Sequence, residues 1–461
     1  MNKNDIISPE RNTKSGRDLT KGSILRNVLS LGWPIIIGSS INSLGPTIDM
    51  IWVGKLGVAA VAGVGVASML VMLLDNFKMG LDMGSRAMVA RFFGAGDILG
   101  ANNVALQGYF VTIAFAAIVG TIGFILAGPI LKMMGLPPEV VTQGTPYLRI
   151  QFIGILTLGL VRQNEGIMQS SGDTVNPMRV VFFYRLFHVV LCPFLVFGWW
   201  IFPRLGTVGA AYSNLISACL GAILGLWILI SGRTQITLSF RNFTPDPKLM
   251  LRIVKIGAPA SITGIERNFG QVLLTWFVIP FGTMAVAAHS LIQRIDQFLF
   301  MPGAGLGNAA GVIAAQNLGA GQPERAEKSG WVSVGLFTVI MSFASLAVWF
   351  WGKTIVGIFN NEPQLVELTH TFLKIAIVSY MVFGMAQVLQ QCLTSAGDTV
   401  PTMLIVLLSI WGVQVPLAYL LSQFTSLGVY GTRWGIVSAT VVRAISYSIY
   451  FRLGRWKRKK V

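Results

Sequence analysis

The sequence predicts an all-α polytopic membrane protein of about twelve transmembrane helices, arranged as two parallel-repeat six-helix lobes around a central cleft. Three observations lead there: an apolar composition, a one-sided distribution of basic residues, and an internal duplication.

The chain has 461 residues, of which 53% are apolar and 11% charged, whereas a soluble chain carries about a quarter charged residues. Stretches such as Val111 to Leu131, Val208 to Ile230 and Val332 to Trp351 are almost wholly uncharged. A helix of about 20 apolar residues crosses a hydrocarbon core of about 30 Å. Buried helices of a large soluble protein would need polar faces that these stretches lack. Cys192, Cys219 and Cys392 all fall inside expected spans, so no disulfide framework is expected.

The net charge of +17 would suit nucleic acid, but its placement argues for a topology signal instead. Lys3, Arg11, Lys14, Arg17, Lys21 and Arg26 crowd one end, and Arg452, Arg455, Lys457, Arg458, Lys459 and Lys460 the other. Arg233, Arg241, Lys248, Arg252 and Lys255 mark a polar middle segment, while the short loops near Lys55 and Arg204 carry few charges. By the positive-inside rule both termini and the middle segment are cytoplasmic. Each half then holds an even number of spans, in a multi-pass protein of the cell (inner) membrane. Residues 1–24 are polar, with no apolar core of a signal peptide, and read as a cytoplasmic tail.

A constant offset of 225 residues relates the halves: Gly32-Trp33-Pro34 recurs as Gly257-Ala258-Pro259, and Gly57 as Gly282. Gly94-Ala95-Gly96 recurs as Gly319-Ala320-Gly321, and Gly172-Asp173-Thr174 as Gly397-Asp398-Thr399. The division is therefore a tail (1–24), a first lobe (25–231), a linker (232–252), a second lobe (253–452) and a basic tail (453–461). With six spans each, the lobes enter from one side and can rock about a central site. The repeated Gly-Ala-Gly and Gly-Asp-Thr segments read as tight turns that need positive φ.

The landmarks resemble the multidrug and toxic compound extrusion (MATE) family across almost the whole chain. They include Pro34, then Ile48-Asp49-Met50-Ile51-Trp52-Val53-Gly54-Lys55-Leu56-Gly57, Ala90-Arg91-Phe92-Phe93-Gly94-Ala95-Gly96-Asp97 and Ser171-Gly172-Asp173-Thr174. The second half adds Ala287-Ala288-His289, Arg294-Ile295-Asp296, Met301-Pro302-Gly303 and Gln316-Asn317-Leu318-Gly319-Ala320-Gly321. The resemblance implies antiport of an amphipathic, often cationic small molecule against protons or sodium, with no cofactor and no enzymatic step.

An ionisable group inside a span is costly and so marks function by default. Asp49 comes about 30 Å along a first span starting near Leu29, and its repeat partner is Leu274. The duplicated fold therefore does not itself require an acid there. The plainer reading is a paired carboxylate at a helix end; the resemblance implies cation coupling. One branch of the family often carries Asn and Asp four residues apart in the fifth span. The matching positions here are His188 and Cys192, and a spacing of four puts both on one helix face. A hard cation prefers oxygen ligands, so the replacement favours protons over sodium. Asp49 and His188 are expected to share the proton, with Asn214 beside them. The substrate cleft is expected to draw on Asn42, Asn164, Glu165, Glu266 and Asp296, and Pro34 to serve as a bending point. Asp75 with Lys78, Arg162 with Glu165, and Asp82 with Arg86 stand at spacings that allow pairing along one helix. A second family branch uses carboxylates in spans seven and ten. Glu266 is near the first of these, but Ile375 to Leu393 contains no acid, which argues against a second-lobe sodium site.

Other classes fit poorly. Gly352-Lys353-Thr354 ends like a phosphate loop, but Ala347 replaces its first glycine. His188, His289 and His370 are too scattered for a metal-centred enzyme. Two unlike lobes supply no symmetric pore ring. A monomer that meets membrane lipid, a small-molecule substrate and a proton or sodium ion, but no nucleic acid, is the expectation. The alternative is a flippase for lipid-linked precursors or an exporter of one endogenous metabolite.

Overall fold

The computed structural model describes residues 18–459 except 242 and 361. Lys3, Arg11, Lys14, Arg17 and Lys460, with the rest of the N-terminal tail to residue 17, lie outside the described residues.

Twelve long helices make up the described chain. They are α1 (Ile24–Gly54), α2 (Val58–Gly94), α3 (Ile98–Met133), α4 (Pro138–Ser170), α5 (Val175–Phe197) and α6 (Thr207–Ile230). After the linker come α7 (Pro247–Val278), α8 (Thr283–Gly319), α9 (Pro323–Gly357), α10 (Pro363–Ser395), α11 (Thr399–Gln423) and α12 (Val429–Arg452). The twelve match the expected number, and ten of them are long and apolar enough to cross a membrane by length and composition. The other two, α7 and α12, carry Glu266 and Arg267, and Arg433 and Arg443, within their length. Large apolar side chains such as Ile122 and Ile125 on α3, and Phe343 and Phe350 on α9, stand exposed. Aqueous solvent would penalise such faces; lipid does not.

The matched landmarks have a geometric cause. Gly57 and Gly282, Gly96 and Gly321, and Gly172 and Gly397 all hold positive φ, between 70° and 116°. An L side chain is strained there, so both halves keep glycine at the same turns. Asp97 caps α3 by accepting from the Gly100 N–H at 2.8 Å. A π turn at Leu408–Gln414 interrupts α11 just before Pro416, and Arg443 of α12 donates to Ser409 at 3.0 Å.

The described residues form two compact units, 18–19 with 37–258 and 20–36 with 259–459. They follow the two halves of the sequence except at the start of each, which groups with the other half. In the first unit α4 packs on α2, α3 and α6; in the second its repeat counterpart α10 packs on α8, α9 and α12. The repeated Gly32 and Gly257 explain the exchanged starts. A Cβ on Gly257 would lie 2.7 Å from Leu81 Cα, and one on Gly84 would lie 2.3 Å from the Ile253 carbonyl, so α7 begins in backbone contact with α2. In the second unit a Cβ on Gly32 would lie 2.7 Å from Leu306 Cδ2, and Gly305 lies against Ile36. Small residues let helix backbones approach where no hydrophobic force drives association. Gly303 likewise beds Phe337, and Gly307 beds Gln391.

A candidate cation-coupling site in the first unit

The site forms where three helices of the first unit come together near one end. Asp49 lies five residues before the end of α1, Cys192 five before the end of α5, and Asn214 seven into α6. At 1.5 Å per residue the group sits about 8–10 Å inside the helix ends. On α1, Asn42 and Asp49 are seven apart and share a face; on α5, Arg185, His188 and Cys192 form one stripe at i, i+3 and i+7.

Asp49 is 3% exposed and His188 fully buried. Asn214 donates Nδ2 to Asp49 Oδ2 at 2.9 Å. The Cys192 thiol donates to Oδ1 at 3.6 Å. His188 Nε2 lies 3.0 Å from that same Oδ1, yet it is off the line a hydrogen bond requires, and neither ring nitrogen has a hydrogen-bond partner. Tyr147 of α4 stands in the field of Asp49, its hydroxyl accepting from Gln151 at 2.8 Å.

One step further in, Arg185 links the polar residues of α1 and α6. Its Nε and Nη2 donate to Asn42 Oδ1 at 2.9 and 2.6 Å, and Nη1 donates to Asn214 Oδ1 at 3.4 Å. Tyr184 also donates to Asn42, at 2.7 Å. The sequence reading left Arg185 out, although an arginine three residues before His188 on the same face was the signal for it. Arg185 fits because residue 45 is glycine: a Cβ there would fall 2.2 Å from Nη1. Gly45→Ala is therefore expected to push the guanidinium off Asn42. Transport should fall several-fold at unchanged protein yield, and an unaltered initial rate in vesicles would show that transport does not need the Arg185–Asn42 contact.

The charged groups deeper in the unit pair differently from the expected pattern. Asp75 takes Arg162 of α4 as its partner, leaving Lys78 to Asp82 at 2.5 Å. Arg86 donates to Gln169 at 2.6 Å, and Glu165 sits in the fields of Arg162, Arg86 and Arg185. The spacing along α2 allowed other pairs because it carries no information about the facing helix. Asn164, expected at the substrate cleft, is buried as a tie between helices: it accepts from the Tyr109 hydroxyl and donates to the Ala222 carbonyl at 2.9 Å.

The second unit has its own polar cluster. Tyr380 of α10 donates to Asp296 at 2.5 Å, and Arg433 of α12 stands 4.0 Å from that carboxylate. His289 Nδ1 lies 3.1 Å from Arg433 Nη2, and its Nε2 lies 2.8 Å from Gln293. The neighbours of Asp296 are thus Tyr380 and Arg433, which the sequence reading did not select. Glu266 Oε2 is buried without a hydrogen bond.

The MatE family model matches residues 34–194 and, from 225 residues further on, 259–420. This chain belongs to the MatE family. Both matches begin at the proline of a repeated landmark, Pro34 and Pro259. Among curated relatives, Probable multidrug resistance protein YoeA of Bacillus subtilis (strain 168) is 28% identical over 447 residues, covering 96% of each chain. Probable multidrug resistance protein NorM of Thermotoga maritima is 22% identical, covering 95% of this chain and 94% of its own. The crystal structure of MATE in the bent conformation superposes with a TM-score of 0.89 at 22% identity, covering 94% of this chain and 96% of that one. The fold is that of a MATE transporter. As a MATE protein the chain is a multi-pass membrane transporter of small molecules, not an enzyme, and it falls among multidrug efflux relatives.

Proposed function

We propose that this MATE protein is a proton-driven antiporter that exports amphipathic, cationic compounds by rocking-lobe alternating access. The observation that carries the reading is the buried Asp49 carboxylate with an imidazole nitrogen at 3.0 Å and a thiol at 3.6 Å. Sodium seeks several oxygen ligands. At Asp49 only Asn214 adds an oxygen-bearing side chain among these partners, and it points its N–H group at the carboxylate. A proton needs no such cage: either of two adjacent groups, a carboxylate or an imidazole, can take it up. Outward-facing, Asp49 takes up the proton with His188; the charge is neutralised, the first span repacks, and drug leaves. Coupling requires only that proton and drug favour different states.

Pro34 is the expected point of flexure, since proline interrupts the helix ladder. It lies three residues before the point in α1 where the chain passes from one compact unit to the other, and Pro259 begins the corresponding passage in α7. The distribution of basic residues supports placement in the cell membrane with both termini in the cytoplasm.

The test is efflux of a fluorescent lipophilic cation from proteoliposomes under separate pH and sodium gradients. A pH gradient alone is expected to drive it. Efflux driven only by sodium would overturn the proton assignment, and no efflux under either gradient would favour a flippase or a dedicated metabolite exporter.

A further inference from the structure

We infer that Asp49, His188 and Cys192 form a binding site for a divalent transition-metal ion of the zinc class. A carboxylate oxygen, an imidazole nitrogen and a thiol sulfur from these residues lie within 4.8 Å of one another, and all three residues are buried. Mixed oxygen, nitrogen and sulfur donors suit zinc and cobalt, not sodium, magnesium or calcium.

The sulfur–oxygen spacing fits such an ion, and the nitrogen–oxygen pair is tighter by about 0.4 Å. With Zn–N and Zn–O bonds of about 2.1 Å and Zn–S bonds of about 2.3 Å, tetrahedral ligand atoms stand roughly 3.4–3.6 Å apart. Here nitrogen and oxygen are 3.0 Å apart, and sulfur and oxygen 3.6 Å. The imidazole provides a second, independent pointer. His188 is fully buried, and neither of its nitrogens makes a hydrogen bond. Leaving a buried polar atom unpaired costs about 1–3 kcal/mol. Nε2 nevertheless sits beside Asp49 Oδ1 without aiming an N–H at it. That is how two ligands of a common ion approach each other, in contrast to a donor and its acceptor.

The surroundings are arranged as they would be around a metal. The i, i+4 spacing of His188 and Cys192 presents two ligands from one rigid helix, and Asn214 holds the far oxygen of Asp49 at 2.9 Å. Outer-shell bonds of this kind orient ligating carboxylates. Three protein ligands leave a fourth position for water. Under the antiport reading, zinc occupies the atoms that would carry the proton and so competes with transport. The site itself needs only the geometry, so either conclusion can fail without the other.

Purified full-length protein in detergent, stripped with a chelator, would be titrated with cobalt alone. One cobalt per chain with a thiolate-to-cobalt charge-transfer band is expected, displaced by zinc. Cys192→Ser should remove that band, and His188→Gln should weaken cobalt binding at least tenfold, with both variants eluting as folded monodisperse protein. Asp49→Asn serves as a third ligand variant should either of these fail to fold. No cobalt uptake, uptake without a thiolate band, or binding unchanged in the folded ligand variants would overturn the site. Efflux plays no part in these readouts, so a protein that binds cobalt yet transports nothing on a pH gradient would sink the antiport reading alone.

Discussion

Asp49→Asn is expected to cut pH-driven efflux to the leak of empty vesicles while the protein still folds and reaches the membrane. The substitution keeps shape and volume and removes only the carboxylate's ability to take up and release a proton. The contact with Asn214 can be preserved, because the new amide oxygen can still accept from its Nδ2, now 2.9 Å from Asp49 Oδ2. What disappears is the charge change that separates the two transport states, and a ligand that does not discriminate between states cannot shift them. Drug binding should survive, measurable by fluorescence quenching in detergent. His188→Gln should slow efflux without abolishing it, since the carboxylate remains. Full pH-driven efflux by Asp49→Asn would remove the carboxylate from the mechanism.

The largest expected effect on stability comes from a different pair. Lys78 and Asp82 meet at 2.5 Å with side chains only 4% and 8% exposed, and the second carboxylate oxygen of Asp82 has no partner. Lys78→Met would leave that buried carboxylate without its ion-pair partner, in the fields of Arg86 and Arg162 alone, a loss of up to about 3–5 kcal/mol. Replacing both, Lys78→Met with Asp82→Leu, should recover most of it, because a buried pair exchanged for apolar groups is often neutral or better. Melting temperatures of the single and double variants in detergent decide the matter. A single variant that melts with the parent would mean that water reaches Asp82.

What the sequence could disclose depended on whether a contact runs along the chain or across it. The turns at Gly96, Gly172, Gly321 and Gly397 were legible because positive φ restricts residue type locally. The shared face of His188 and Cys192 followed from helical periodicity, and its closure on Asp49 from the resemblance. The pairing of Asp75 with Arg162, 87 residues away, was not legible, because spacing along α2 offers Lys78 just as readily. Asp296 was picked out as an intramembrane charge, but its partners lie on α10 and α12, and nothing local selects Tyr380 or Arg433 from among similar residues. Gly32 and Gly257 stood out as landmarks, while the helices they touch, α8 and α2, only the folded chain could name.

The glycines that bed polar side chains set a limit on engineering this protein. A Cβ on Gly159 would lie 2.4 Å from Lys78 Cε, one on Gly166 would lie 2.7 Å from Arg86 Cγ, and one on Gly225 would lie 2.6 Å from Asn164 Nδ2. Exchanging helical glycine for alanine is an ordinary route to a sturdier protein, worth up to about 1 kcal/mol per site. At these positions, and at Gly45, the added methyl competes for space with a group that has no water to retreat into. A thermostabilised form for structural or screening work should leave these glycines alone and take its alanines from positions such as Gly335 and Gly412, where a Cβ would meet nothing within 4 Å.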